Sequence, residues 1–472
     1  MNDSATPPDP ADPSDPAAPV PPAAPAATAA PAAPQGPFVG RLLNDYGMML
    51  VLGMLVSVLS LLTLEQQTPI GAEAGQSVAA TIVASRASGT ALVIAETTTI
   101  DEAFVAAATE ELSQAGWTVA ASVNGTPADG RRAIEAALAD GGTIDAIAVT
   151  GDAAGWTIYE RFEQVGRDRC FSPVPYLWPT FAKLENLLSV ANQTAIYAIL
   201  AIGMTMVIVT AGIDLSVGSL VALSSVVAAL MIRGSGGQEA SVIMVGVGCL
   251  AGIFVCGAAG LFNGVMVTGF GVPPFIITLS MMMIARGLAR RLSGELSIQE
   301  LPASYSVLGS GTLLGLPNPV VLMIVLYLVA HAVMTRTVFG RYVYAVGGNQ
   351  EAARLSGVPV RRVKLLVYTL CGLLAGLGGI VQSSKLATGD PKLGVMFELD
   401  VIAAVVVGGT SLMGGEGRIF GTLIGAFIIA VMKNGLNLMS VGAPDQQIVL
   451  GTVVTVAVLI DTLKRRRQSD GG

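Results

Sequence analysis

The feature that most constrains this chain is a succession of long apolar segments that carry few charges. A helix needs about 20 apolar residues to cross the hydrocarbon core of a bilayer. Only 12% of the 472 residues are charged, about half of the roughly 25% that is usual in soluble domains. The sequence therefore predicts an all-α polytopic membrane protein with about ten transmembrane helices. The expected spans are 47–64, 190–211, 216–232, 242–266, 273–292, 318–335, 364–383, 399–413, 419–438 and 446–463.

Composition divides the rest of the chain into tails and one polar insert. Residues 1–37 are a low-complexity Pro/Ala segment, which cannot bury enough apolar surface to fold. The 56 glycines suit membrane helices that pack closely. The expected domains are a disordered cytoplasmic tail at 1–40, a first transmembrane helix at 41–66, an extracytoplasmic insert at 67–178, a main transmembrane domain at 179–467 and a C-terminal tail at 468–472.

The distribution of lysine and arginine predicts the orientation, because cytoplasmic loops are enriched in both. The loop 336–364 carries five arginines and Lys364, and the C-terminal segment contains LKRRRQ. An even number of spans places both segments on the side of the N-terminus. We therefore expect a multi-pass protein of the inner membrane with both termini in the cytoplasm. Arg286, Arg290 and Arg291 depart from this pattern, since they would lie near the outer face.

The insert alternates apolar and amphipathic stretches in the manner of a soluble α/β unit. Strands that alternate with helices of this length predict a parallel βαβαβ layer, which we expect at about 89–165. Its expected strands are 89–96, 117–123 and 144–151, and its expected helices are 101–116 and 129–142.

The sequence contains no pattern that indicates bond-making chemistry. In GGTSLMGGEGR, Gly409 and Gly414 have the spacing of a P-loop, but Gly415 and Glu416 stand where Lys and Ser/Thr are required. We expect a tight turn there. The single histidine, His331, and the four cysteines form no metal-binding or disulfide pattern. The sequence predicts neither an enzyme nor a metal site.

The stretch AGIDLSVGSL places Asp214 between two apolar runs, and two interpretations of it stay open. Its carboxylate caps the following helix by accepting hydrogen bonds from the amides of Ser216 or Val217, or it lines a substrate pathway beside a broken helix. A single deep carboxylate argues against a proton relay of several acids. The uncharged polar groups in the apolar runs, Asn192, Gln193, Asn263 and Gln382, favour a neutral, hydroxyl-rich cargo over an ion. The candidate pathway and gate residues are Asp214, Ser216, Gly212, Gly218, Asn192 and Gln193.

Three long stretches resemble one known family. AIYAILAIGMTMVIVTAGIDLSVGSLVALSSVVAA is similar to the early membrane segment of the ribose/xylose/arabinose-type sugar ABC transporter permeases, which are inner-membrane components of binding-protein-dependent transport systems. GRYVYAVGGNQEAARLSGVPVRRVK resembles their cytoplasmic loop, and ELDVIAAVVVGGTSLMGGEGRIFGTLIGAFIIAVMKNGLNLM resembles their C-terminal portion. The resemblance covers about 178–467. The insert departs from the family pattern and is faintly similar to one lobe of a periplasmic sugar-binding protein, so we expect a docking platform or a degenerate remnant.

The resemblance implies a permease subunit of an ATP-binding-cassette importer that translocates a monosaccharide or related polyol. The implied partners are ABC ATPase subunits on the cytoplasmic face, a second permease subunit that we expect to be an identical copy, and a periplasmic sugar-binding protein. No nucleic acid is expected, and no cofactor is expected in this chain, since the ATPase subunits bind ATP and magnesium. The resemblance also implies a loop helix that contacts the ATPase through Asn349, Gln350, Glu351, Arg354 and Gly357.

Two other functions stay open from the residues alone. An autonomous secondary transporter would need no ATPase and would show ion-coupled uptake without companions. A membrane-anchored sensor would bind its ligand through the α/β insert, and the loop near Glu351 would be dispensable. The length and order of the matched stretches favour the importer over both.

Overall fold

A computed structural model describes residues 38–162 and 165–469 of the chain. The first described element is α1, Phe38–Leu62. Nearly all of the tail predicted at 1–40, and residues 470–472 of the predicted C-terminal tail, lie outside the described residues.

An α/β unit follows α1, and its central sheet has four strands in the order β3-β2-β4-β5. The strands pair in parallel, helix α3 connects β2 to β3, and helix α4 connects β3 to β4. Strand β2 is apolar along its length and buried on both faces, as expected for a parallel sheet that is covered by helices on both sides. The elements are β1 Leu64–Gln67, α2 Gly71–Ser85, β2 Thr90–Ala95, α3 Thr99–Gln114, β3 Thr118–Asn124, α4 Pro127–Leu138, β4 Ala146–Val149, β5 Cys170–Phe171 and β6 Tyr176–Pro179.

The structure has a strand or a helix in each insert segment for which the sequence predicts one. Helix α4 begins at a capping box, in which the Thr126 amide donates to Asp129 Oδ2 over 2.8 Å. The hydrogen bonds from Thr126 hold the pKa of the Asp129 carboxyl below its usual range. The sequence analysis missed α2, whose small residues show little pattern, and the antiparallel ribbon of β1 and β6, whose strands are far apart along the chain.

The membrane domain begins directly after the insert. Its elements are α5 Leu184–Val209, α6 Val217–Gly234, α7 Val242–Gly269, α8 Pro274–Ser293, α9 Ala303–Ser310, β7 Thr312–Leu313, β8 Leu316–Pro317, α10 Asn318–Arg336, α11 Val338–Gly348, α12 Gln350–Leu355, α13 Val360–Leu386, α14 Phe397–Val407, α15 Ile419–Leu438 and α16 Ala443–Ser469.

Six helices of the described chain are long and apolar enough to cross a membrane, namely α5, α6, α7, α10, α13 and α15. The predicted count of about ten spans is not confirmed. Helix α14 has 11 residues and extends only about 16 Å, which is about half of the hydrocarbon thickness. Helix α8 has three arginines, and the apolar part of α1, Gly47–Leu62, is short.

Helix α5 is the centre of the bundle, because every residue from Thr194 to Val209 is buried. A helix that is apolar on all sides is stable only inside a bundle. Around it, α7 and α13 approach each other through small residues. A Cβ atom on Gly260 would collide with the carbonyl oxygen of Tyr368, and one on Gly372 with that of Cys256. This close approach is the usual way in which membrane helices gain packing contacts.

Candidate functional site

The loop between α5 and α6 buries Asp214 completely. Its Oδ1 atom accepts hydrogen bonds from the Ser216 amide at 2.9 Å and from the Ser216 hydroxyl at 2.6 Å. The first of these is the amide contact that one of the two sequence interpretations predicts, but Ser216 is itself the residue that flanks the first turn of α6. The bond therefore closes a turn just before the helix instead of capping it, and the Asp214 carboxylate holds the chain that leads into α6.

Further polar groups converge on this loop from α7, α8 and α13. The Asn263 amide donates to Ser216 Oγ at 3.2 Å, and the Thr278 hydroxyl donates to the Ile213 carbonyl at 3.2 Å. The Tyr368 hydroxyl and the Cys371 thiol face the Asp214 carboxyl. Asp214 Oδ2 and Tyr368 Oη are both buried, and neither has a hydrogen-bond partner within bonding distance among the described residues.

The other predicted pathway residues divide into two groups. Gly212 and Gly218 allow close packing, because a Cβ at the first would collide with the Tyr368 hydroxyl and one at the second with the Glu398 carboxylate. Asn192 and Gln193 lie on α5 away from Asp214, and the Gln193 side chain instead interacts with the Tyr197 hydroxyl. The structure thus joins Asp214, Ser216 and Gly212 at one place, while Gln193 belongs to another cluster.

Between α13 and α14 the chain runs without a helix from residue 387 to residue 396. This segment lies against α6, where the Ser225 hydroxyl donates to the Asp390 carbonyl at 3.3 Å. On its other side Arg286 of α8 donates to the carbonyls of Pro391 at 3.0 Å and Leu393 at 2.6 Å. Non-helical backbone is tolerated inside a membrane domain only where its polar groups are satisfied or line a cavity. Helix α14 is therefore a half-helix that begins within the bundle.

Helix α14 brings two more acidic side chains into the protein interior, Glu398 and Asp400. Asp400 forms a buried ion pair with Lys433 of α15, and Glu398 is electrostatically attracted to Arg286. The expectation of a single deep carboxylate was therefore wrong. The sequence analysis missed this cluster because it assigned ELDVIAAVVV and AVMKNGLNL to ordinary spans, although each contains a charged residue within an apolar run.

The predicted loop helix is α12, and all of its side chains except that of the buried Ala353 are exposed. Asn349 caps it, since its Oδ1 accepts from the Ala352 amide at 2.9 Å. Glu351 and Arg354 form an ion pair of 3.5 Å in which each side chain is about two-thirds exposed, 67% and 70%. Gln350 accepts from Lys364 at 2.6 Å. Gly357 ends the turn with a φ of 81°, a conformation that favours glycine.

The glycine-rich loop 408–418 is a tight turn between α14 and α15, and it lies beside the α11–α12 segment. The Gly415 amide donates to the Val209 carbonyl at 2.9 Å, and the Tyr344 hydroxyl donates to the Gly417 carbonyl at 2.7 Å. Gly414 and Gly415 both have positive φ, at 87° and 75°. A movement of α11 and α12 would therefore act directly on the end of α5 and on the α14–α15 turn.

Sequence comparison with known proteins identifies the family of the membrane domain. Residues 186–462 match the family described as "Branched-chain amino acid transport system / permease component". The ribose import permease RbsC of Escherichia coli (strain K12) is 44% identical over 297 residues, which are 62% of this chain and 90% of the relative. RbsC of Bacillus subtilis (strain 168) is 43% identical over 293 residues, 62% and 89% of the two chains.

A third relative is the L-arabinose ABC transporter permease AraH of Azospirillum brasilense. It is 36% identical over 298 residues, which cover 63% of this chain and 86% of the relative. No solved structure shows significant similarity to the chain. The family match starts after the α/β insert and includes the Asp214 loop, α12 and the half-helix α14. The chain therefore belongs to this family of transport-system permease components.

Proposed function

We propose that the chain is the transmembrane permease subunit of an ATP-binding-cassette importer for a monosaccharide or related polyol. The observation that carries the proposal is the 44% identity to a ribose import permease over 90% of that protein. The arabinose and allose permeases among the relatives favour the same class of cargo. Six helices in the described part of the chain that are able to cross a membrane agree with a multi-pass protein, which we place in the inner membrane with both termini in the cytoplasm.

The proposed complex contains ABC ATPase subunits, a second copy of this permease and a periplasmic sugar-binding protein. The ATPase subunits bind ATP and magnesium, and this chain supplies the passage. ATP binding shifts the pair of permeases between outward-open and inward-open states. This shift requires that the ATPase subunits bind the two states with different affinities. The α/β insert gives the binding protein a surface on the outer side.

Helix α12 is the proposed contact with the ATPase. Glu351 and Arg354 are exposed although they form an ion pair with each other, so both remain free to contact a partner surface. Asn349 and Gly357 set the two ends of the helix, and Gln350 ties it to α13 through Lys364. The gate in this proposal is the Asp214 loop, which lies at the end of α5 that loop 408–418 contacts.

The proposal is tested on the assembled complex in proteoliposomes with D-ribose as the first probe. The double variant Glu351→Ala/Arg354→Ala should hydrolyse ATP with little sugar uptake. An exposed ion pair contributes only about 0–1 kcal/mol to stability, so membrane insertion should be unchanged. Arg131→Ala/Glu135→Ala removes another exposed ion pair, at 3.7 Å, and is the control for membrane insertion and assembly with the ATPase, which do not require the surface of the insert.

Two outcomes would count against the proposal. Wild-type uptake by the Glu351→Ala/Arg354→Ala variant would remove α12 as the coupling element. If the purified chain alone accumulates sugar against a gradient, or if the tagged protein never co-purifies with an ATPase, the importer function itself is wrong.

A further inference from the structure

A cavity of about 530 Å³ lies between α14, α15 and α16, outside the Asp214 loop. This size falls within the range of about 300–1,000 Å³ that is typical of small-molecule sites. Most of its wall is apolar and includes Leu399, Ile402 and Leu450. Its polar lining consists of Asp400, Lys433, Gln446 and Gln447.

The ion pair at the wall of this cavity is well enclosed. The side chains of Asp400 and Lys433 are only 7% and 17% exposed. Lys433 also donates to the Tyr197 hydroxyl at 3.4 Å, and its ammonium lies 5.1 Å from the centroid of the Tyr197 ring. Phe397 packs against the same ring at 5.0 Å, and Gln193 interacts with the Tyr197 hydroxyl. Residues of α5, α14 and α15 thus hold both charges in place.

Stability alone does not account for this pair. A buried ion pair adds little or nothing compared with apolar residues of the same volume, because both charges lose their hydration. Ionisable residues in membrane helices face the bundle interior or a water-filled cavity and mark transport pathways. The position of this pair beside a cavity that admits small molecules therefore indicates a binding role.

The lining fits a neutral polyol better than an ion or a lipid tail. A carboxylate accepts hydrogen bonds, an ammonium donates them and a glutamine amide does both, so together they match the mixed requirements of sugar hydroxyls. The charges of Asp400 and Lys433 cancel, so the site attracts neither cations nor anions strongly. The apolar wall suits the C–H faces of a sugar ring, whereas an acyl chain would leave the charges and the amides without partners.

We propose that the cavity beside the Asp400–Lys433 ion pair binds the sugar during its passage. The inference rests on the proposed importer function, and it adds a substrate site that is separate from the Asp214 gate. The cavity lies towards the insert end of the bundle, since Asn434, the neighbour of Lys433, bonds reciprocally with Asn186 near the start of α5 at 2.8 and 3.0 Å. It would therefore receive sugar before the gate opens.

The first test asks whether water and sugar reach the cavity. Gly451 lines it, and a Cβ there meets nothing within 4 Å. Gly246 on α7 is the matched control, since it is exposed on a membrane helix and its Cβ also meets nothing within 4 Å. Both are changed to cysteine, and the assembled complex in nanodiscs is treated with a charged methanethiosulfonate reagent. Burial raises the pKa of the native Cys170 thiol to about 11, so its background reaction at neutral pH is small.

We expect Gly451→Cys to react about tenfold or more faster than Gly246→Cys, because thiolates form and react in water. Saturating D-ribose should slow the reaction, whereas the same concentration of the tetrasaccharide stachyose, whose volume exceeds that of the cavity, should not. If Gly451→Cys is as unreactive as Gly246→Cys, lipid fills the cavity and the proposal is overturned. The proposal is also overturned if none of the three sugar probes, D-ribose, L-arabinose and D-allose, slows the modification of Gly451→Cys.

The second test fills the cavity and measures uptake. Gly451→Leu should lower D-ribose import by about tenfold, because the added side chain occupies the volume needed by the ligand. Gly246→Leu should import normally, and both variants should assemble with the ATPase. Normal import by Gly451→Leu would overturn the site while leaving the importer function intact. If the wild-type complex imports none of the three sugars, the proposed function fails first and the site fails with it.

Discussion

Arg286 of α8 donates a hydrogen bond of 2.6 Å to the carbonyl oxygen of Leu393, in the non-helical segment that precedes the half-helix α14. The same guanidinium nitrogen also reaches the Pro391 carbonyl at 3.0 Å. This contact explains how a segment without helical hydrogen bonds is held against the membrane helices. It also explains why Arg286 departs from the rule that arginines lie in cytoplasmic loops: its guanidinium binds backbone carbonyls inside the protein.

The first prediction follows from this contact. Arg286→Met keeps most of the apolar stem but leaves two carbonyls without their donor, and each unsatisfied buried group costs about 1–3 kcal/mol. We expect a lower melting temperature of the purified protein in detergent. Arg291→Met is the control, since Arg291 is exposed on the same helix and surface changes cost at most about 0.5 kcal/mol. Equal melting temperatures of the two variants would show that Arg286 does not hold the segment.

The second prediction separates the role of Asp214 in the turn before α6 from its proposed role in the gate. Asp214→Asn retains an acceptor for the Ser216 amide, so its stability should stay close to wild type. Asp214→Ala removes the acceptor and should cost about 1–3 kcal/mol, because the buried Ser216 amide loses its partner. The proposed gate uses the second carboxyl oxygen, Oδ2, which is buried without a hydrogen-bond partner among the described residues. Sugar uptake by Asp214→Asn should therefore fall about tenfold, a loss of about 1.4 kcal/mol in the rate-limiting state. Wild-type uptake by this variant would leave Asp214 with the turn alone.

The third prediction concerns Leu355 at the end of α12, which is 84% exposed and was not among the residues expected at the ATPase contact. An exposed leucine on a docking helix is suited to a pocket on the partner. Leu355→Asp should weaken binding of the ATPase subunits by about tenfold or more, because it would bury a charge without a partner in an apolar contact. Leu314→Asp is the control, because Leu314 is 96% exposed in the β7–β8 turn at the other end of α10. If Leu355→Asp and Leu314→Asp weaken binding of the ATPase subunits equally in a titration, Leu355 makes no specific contact with them.

The fourth prediction concerns the insert as a folding unit. Its sheet has an apolar core on each face, and the strands β1 and β6 pair near its two ends. A fragment of residues 63–182 should therefore unfold cooperatively in urea, as followed by circular dichroism. Phe104→Ala should cost about 3–5 kcal/mol, because this side chain is fully buried between α3 and the sheet. Ile100→Ala, on the same helix but 52% exposed, should change the free energy of unfolding little. A gradual unfolding transition of the parent fragment would contradict the prediction.

Local sequence was sufficient for much of the architecture. Apolar runs such as 190–211 correspond to helices because a long uninterrupted apolar stretch has few other ways to satisfy its backbone in lipid. Asn349 and Gly357 predict the limits of α12, since capping and left-handed turns depend on the residues at those positions. The Asp214–Ser216 turn is equally local, because donor and acceptor are two residues apart.

Tertiary structure decided the contacts that form the cavity beside Asp400 and Lys433. Asp400 and Lys433 lie 33 residues apart, and Arg286 and Leu393 lie 107 apart. Neither pairing follows from local propensity, because it depends on how α8, α14 and α15 are arranged in space. The number of helices that cross the membrane was also uncertain from hydropathy, since a half-helix and a full span have the same apolar composition and differ only in where the chain turns. Sequence alone thus determined which segments are helical and apolar, whereas packing decided which charges meet and where the bundle leaves a cavity.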